Sequence, residues 1–203
     1  MKRSAHQRKE HWTGAIGAPP GAPMVMTDAG HGVAWAVLRR RLGERDNDLR
    51  EFTWQKLTHG RGNTGYLGDW HATAAHTVLL PTDAPSDLLD AKRLAERYED
   101  EAFVGIKDLA CVAKFTIDKR DRILAEWPRI VRFAAVEFAE KRNMACIAVL
   151  HVPARSGVRR DAHVHLVAPA RELGPDGYGA FLRPFATDAG GPEIARAWAA
   201  RMK

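Results

Sequence analysis

His163 and His165 are separated by a single residue in the apolar run 162–168, and His151 falls near the end of an earlier apolar run, 144–152. Along a β-strand successive side chains alternate between faces, so His163 and His165 leave the same face. The segment joining the two runs, Pro153-Ala-Arg-Ser-Gly-Val-Arg-Arg160, is too short for a crossover helix. Its strands therefore pair as an antiparallel hairpin, and that hairpin brings His151 beside the other two. Three neutral imidazoles on one patch can hold a divalent ion and leave coordination positions open to a substrate. Among nine histidines one His-x-His is unremarkable, and a single buried histidine is more often structural. The third ring, placed opposite the pair, is what points to a metal.

The same hairpin carries Arg155, Arg159 and Arg160 in its connecting loop, where they can reach phosphates near an ion or simply be solvated. The formal net charge is +6 and the isoelectric point about 9.6. Basic clusters recur at Lys2-Arg3, Arg39-Arg40-Arg41 and Lys119-Arg120. Such a balance fits a nucleic-acid partner, whose phosphates exchange counterions for Lys and Arg, and equally a solvated basic surface.

The elements that must position these groups are legible in part. Residues 1–30, polar and then rich in Gly and Pro, read as a flexible basic arm, and 31–203 as one domain. The apolar-then-basic run 32–42 has no clear type, and the Gly-rich stretch 58–73 reads as an exposed loop. A helix capped by Ser86 or Asp87 is expected to run to about Phe103, followed by a strand over 110–117. Ile123, Leu124, Trp127, Ile130, Val131, Ala134 and Phe138 recur at helical spacing and define a long helix over about 120–141, which Pro128 must kink or divide. Strands over 144–152 and 162–168, a turn at 174–177 and a closing helix over 193–202 complete an α+β pattern with helices packed on an antiparallel sheet. No stretch approaches the roughly 20 apolar residues of a membrane span. The first ten residues lack a secretory h-region, and Cys111 and Cys146 lie in apolar runs as buried thiols do. A cytoplasmic protein is expected.

Three segments in order, Cys146-Ile-Ala-Val-Leu-His151, Asp161-Ala-His-Val-His-Leu166 and Ala170-Arg-Glu-Leu-Gly-Pro-Asp-Gly-Tyr-Gly179, resemble the MobA/MobL relaxases of plasmid mobilisation, members of the HUH endonucleases. Thr64-Gly-Tyr-Leu-Gly-Asp-Trp70, Leu79-Leu-Pro-Thr-Asp-Ala-Pro85, Leu88-Leu-Asp-Ala-Lys-Arg-Leu94 and Ile194-Ala-Arg-Ala-Trp-Ala199 extend the likeness over about residues 56–200. The resemblance implies a ferredoxin-like core and a divalent ion on His151, His163 and His165, Mn²⁺ or Mg²⁺ first and Zn²⁺ as the alternative. It implies single-stranded DNA from a transfer origin as substrate, Arg171 with the loop arginines on its backbone, and accessory mobilisation proteins as partners.

It also implies a tyrosine nucleophile shortly before a Lys-Leu pair. Lys56-Leu57 matches the pair, but the aromatic residue at the corresponding place is Phe52, which has no hydroxyl. Of the three tyrosines, Tyr66 lies in the Gly-rich stretch and could substitute, Tyr98 sits on a helical apolar stripe, and Tyr178 follows the metal strands in a turn. On the strand over 110–117, where the family tends to carry an acid, this chain has Val112 and Lys114. Three functions stay open: a relaxase whose nucleophile is displaced or replaced, a relative that binds single strands without cutting, and a metal-dependent hydrolytic nuclease.

Overall fold

The computed structural model of the chain describes residues 22–58, 70, 75–118, 122–157 and 159–201. In chain order these form strands β1 (Thr27–Gly30), β2 (Val33–Arg39), β3 (Arg41–Leu42) and β4 (Arg45–Asp46), helix α1 (Leu49–Thr58), strand β5 (Ala75–Leu79) and helix α2 (Ala91–Asp100). Strand β6 (Asp108–Ile117), helix α3 (Ile123–Ala134), strands β7 (Cys146–His151), β8 (Ala162–Pro169), β9 (Arg171–Gly174) and β10 (Gly177–Phe181) and helix α4 (Gly190–Arg201) follow. Six strands make one sheet in the order β1-β2-β6-β8-β7-β5, and every neighbouring pair is antiparallel. Residues 1–21 of the expected arm lie outside the described residues, and its end, Thr27–Gly30, forms the edge strand β1.

The alternation of each strand sends side chains to two separate cores. On one face Trp35, Ala113, Phe115, Val164 and Leu166 pack against Phe133 and Phe138 and against Ile194 and Trp198 of α4. Gly190 and Gly191 open α4 because a Cβ there would stand 2.7 Å and 2.8 Å from the Trp35 side chain. On the other face Leu38, Val112, Ile147, Val149 and Val167 meet Leu49, Phe52 and Leu57 of α1 and Leu94, Ala95 and Tyr98 of α2. The sheet is thus covered on both sides by helices, the α+β architecture expected. The register also decides where the histidines go: His163 and His165 share their parity with Val167, and so belong to the face under α1 and α2.

Two elements have no clear signature in the sequence. Strand β2 is apolar at nearly every position because both of its faces are buried, so the period of two is lost. Helix α1 is held at its N-terminus by side chains rather than by propensity. Asp48 Oδ1 accepts from the backbone N–H groups of Arg50 (2.7 Å) and Glu51 (3.2 Å), and Glu99 Oε1 accepts from Leu49 N–H (2.6 Å). Elsewhere the boundaries move. The helix expected from Ser86 begins instead as a 3-10 turn, Ser86–Leu89, and Asp90 caps the α-helix by accepting from Arg93 N–H at 2.9 Å. Pro128 lies inside α3 without dividing it, and the helix continues as a π-helical segment over Ala135–Glu140.

Glu137, in that π-helical segment, is 3% exposed and ties it to α4. Its carboxylate meets Lys141 Nζ at 2.8 Å, Arg142 Nη1 at 3.1 Å and Arg201 Nη2 at 3.6 Å, while Arg142 also bonds Glu193. Burial pushes the carboxyl up, but the hydrogen bonds and charges of Lys141 and Arg142 outweigh it and hold the group below its ordinary 4.5. Glu137→Gln is expected to cost about 2 kcal/mol in urea unfolding at pH 7, because Lys141 and Arg142 each lose a charged hydrogen-bond acceptor while Arg142 keeps Glu193. A carboxyl with a depressed folded pKa stabilises at neutral pH and stops doing so as pH falls through that value, so the deficit should shrink in acid.

Candidate metal centre

Strands β7 and β8 place His151 opposite His163, and Val149 opposite His165, so all three histidines leave one face at one end of the hairpin. Their ring centroids are 5.3 Å (His151–His163), 5.0 Å (His151–His165) and 4.9 Å (His163–His165) apart. One ligand nitrogen from each lies within 4.8 Å of the others, close enough for a single ion to draw them in. Among the described residues no carboxylate joins the group.

The tautomers follow from the partners. His151 Nε2 is 2.7 Å from the backbone carbonyl of Lys56, and His163 Nδ1 is 3.0 Å from that of Asp161. A carbonyl only accepts, so each of those nitrogens carries the proton and the opposite nitrogen, Nδ1 of His151 and Nε2 of His163, presents its lone pair. Carbonyls that fix a ring in this way are the usual outer support of a metal-binding histidine. His165 is 5% exposed, and its Nδ1 is buried with no hydrogen-bond partner among the described residues. A buried imidazole left short of a partner in a cluster of others is what a missing ligand bond produces. The donor set therefore fits a divalent ion.

Both β8 histidines are held neutral. Burial is the largest cause for each and pushes them below the ordinary 6.5, His165 far more strongly. For His163 the Asp161 carbonyl works the other way, and the charges of Lys114, Lys56 and Arg160 reinforce burial. For His165 the neighbours Lys56, His163, His151 and Lys114 do the same. Neutral rings are the ligating form. Lys56 is itself pushed down to about 8, by burial first and by Lys114 second.

The other residues singled out in the sequence divide. Arg155 is exposed on a 3-10 turn, Pro153–Ser156, that begins the loop, and Arg159 and Arg160 are exposed at its end. This puts all three in the connection between the metal strands, and Arg160 is near enough to act on His163 and Lys114. Arg171, expected at the DNA backbone, is instead committed to packing. It is 8% exposed and donates to the carbonyls of Gly179 (2.9 Å), Glu101 (3.1 Å) and Tyr178 (2.6 Å), at the end of β8 away from the histidines. Phe52 is 3% exposed in the core beneath α1, with Lys56 Nζ 5.1 Å from its ring centre. Tyr66 lies outside the described residues. Tyr98 is fully buried and donates to the Asp108 carbonyl at 3.3 Å, while Tyr178 is buried against it in an edge-to-face contact. Burial pushes both phenols above their ordinary value. Neither is placed to attack a substrate.

Two further functional candidates acquire their place beside the histidines only in three dimensions. Lys114 stands directly opposite His165 across β6 and β8, and Lys56 reaches the cluster from α1. Lys114 was visible in sequence as the place where the resemblance implies an acid. Nothing in sequence ties Lys56 to His151, 95 positions away.

No family model and no curated protein matches the chain. A solved structure described as the molecular basis of vancomycin resistance transfer in Staphylococcus aureus superposes on it with a TM-score of 0.55 and 13% identity, covering 76% of this chain and 80% of that one. The likeness shows a shared fold.

Proposed function

We propose that this chain is a relaxase-like protein that binds single-stranded DNA and acts on a phosphodiester at a transfer origin. The observation that carries the reading is the convergence of His151, His163 and His165, with Lys56 and Lys114 beside them, on a sheet whose fold is shared with a protein of resistance transfer. A divalent ion in this site would polarise the scissile phosphate and offset the charge that develops as the P–O bond breaks. An all-imidazole donor set favours a transition ion over Mg²⁺, which demands oxygen ligands. His151, oriented by Lys56, and His163, oriented by Asp161, fix the approach of the phosphate, and Arg155, Arg159 and Arg160 hold the flanking backbone. In the strand-transfer reaction a tyrosine oxygen bonds phosphorus, the 3′ oxygen leaves as a hydroxyl, and a 5′-phosphotyrosine remains.

One observation favours a second reading, a relative that binds single strands without transferring them. Phe52, Tyr98 and Tyr178 are all buried, so among the described residues no phenol faces the histidines. No described helix is long and apolar enough to cross a membrane. A cytoplasmic setting and accessory mobilisation proteins belong to the same proposal.

Binding is tested by charge. Changing Arg155, Arg159 and Arg160 together to Gln should weaken affinity for a single-stranded oligonucleotide, measured by fluorescence anisotropy. The slope of log affinity against log salt should fall by about 0.7 for each arginine that no longer neutralises a phosphate, roughly 2 in total. An unchanged affinity and slope would remove the hairpin loop from the DNA path.

A further inference from the structure

The face that carries the histidines has charge of one sign. Lys114 is the register partner of His165, so their side chains rise from the sheet together with Cβ atoms about 5 Å apart. Lys56 comes over the same patch from the last turn of α1, its carbonyl on His151 and its ammonium beside the Phe52 ring. Among the described residues neither lysine has an ion-pair partner, and no acid joins the three histidines. Asp161 does attract Lys114, but it is exposed, and the opposing push of Arg160 is larger.

A dication held by three neutral imidazoles would therefore stand beside two ammonium groups that no ion-pair partner among the described residues neutralises. Carboxylate ligands balance the charge of a divalent ion, whereas an all-imidazole donor set brings no negative charge to it. Here the balancing charge has to arrive with the ligand. We infer that Lys56 and Lys114 form an oxyanion subsite for the phosphodiester, and that the ion and the phosphodiester each bind weakly alone and strongly together. The inference rests on the metal reading above and assigns the lysines a role within it. Coupling of this kind is reciprocal: whatever the phosphate does for the ion, the ion does for the phosphate. An ion site that fills only when DNA is present would keep the centre quiet between substrates.

The lysines thus have opposite effects on the two ligands, which no merely structural role would produce. Both measurements use the full chain at pH 7 and low salt: Mn²⁺ titrated by calorimetry with and without a saturating thymidine dinucleotide, and the dinucleotide titrated by NMR without metal. The dinucleotide should raise the Mn²⁺ affinity of the wild type at least about tenfold. Lys56→Met with Lys114→Met should raise Mn²⁺ affinity in the absence of DNA roughly tenfold, because two repulsions in a part-buried site are gone. The same double variant should lose both the dinucleotide effect and most of the metal-free dinucleotide affinity. Lys114→Gln alone should move both quantities in the same directions by less, which covers poor folding of the double variant. If Mn²⁺ binds the wild type and is lost in His163→Ala, yet the lysine variants bind Mn²⁺ no more tightly or the dinucleotide changes nothing, the subsite is wrong and the metal centre stands. If Mn²⁺ binds the wild type under neither condition, the metal centre fails and the subsite with it.

Discussion

Replacing His163 and His165 together by alanine is expected to abolish divalent-ion binding, a loss well beyond the roughly 100-fold that follows when only the outer support of a metal ligand is removed. Two of the three nitrogens that lie within 4.8 Å of one another disappear, and His151 alone cannot define a site. Calorimetry with Mn²⁺ and Zn²⁺ measures it, with the dinucleotide present. The pH dependence has a defined sign. Protons compete with the ion, and because burial first, then the nearby lysines, hold His163 and His165 below 6.5, wild-type binding should persist below that pH before it falls. Without metal the unfolded chain takes up protons that the buried rings refuse, so the fold should lose stability as pH drops below 6.5. The double variant should show a flatter slope there. Undiminished Mn²⁺ binding by that variant would mean the ion sits elsewhere.

The second large effect concerns the nucleophile, and it is close to all-or-none. A centre with no positioned phenol leaves water as the attacking group, and water forms no covalent intermediate. Helix α1 carries Phe52 one turn before Lys56, whose carbonyl accepts from His151, so this helix is anchored to the metal centre. The wild-type chain is accordingly expected to bind a single-stranded oligonucleotide without linking to it, and Phe52→Tyr to form an adduct that survives denaturing electrophoresis. If Tyr66 serves instead, the wild type already forms the adduct and Tyr66→Phe removes it. An adduct that survives Tyr66→Phe, or none from Phe52→Tyr despite intact Mn²⁺ binding, would defeat both assignments. Tyr178 would then be next, although it lies with Arg171 at the end of β8 away from the histidines.

The metal strands were legible in sequence because every step was local. A period of two gives the shared face of His163 and His165, and the short connection forces the hairpin that pairs His151 with His163. The long helix was equally legible, since its apolar spacing survives Pro128. Helix α1 was not. Its buried residues include Leu49, Phe52, Thr53, Trp54, Leu57 and Thr58, which wrap around the axis instead of forming one stripe, and several are poor helix formers. The acid that tethers its first turn, Glu99, comes from another helix. Arg171 misled for a related reason. An arginine beside a turn looks available to phosphate, and only the folded chain shows three carbonyls already occupying its guanidinium. The positive surroundings of the centre were half visible: Lys114 stood out where an acid was expected, but Lys56 acquires its place from tertiary packing alone.

The most direct measurement is anomalous diffraction from crystals of the full chain grown with Mn²⁺ and a short single-stranded oligonucleotide. A single ion is expected among His151, His163 and His165, at about 2.0–2.2 Å from one nitrogen of each, with a DNA phosphate oxygen completing its coordination. The lone pairs pointing to it should be Nδ1 of His151 and Nε2 of His163, the nitrogens opposite those that donate to the Lys56 and Asp161 carbonyls. An anomalous peak at other residues, with the three imidazoles empty at saturating metal, would contradict the account.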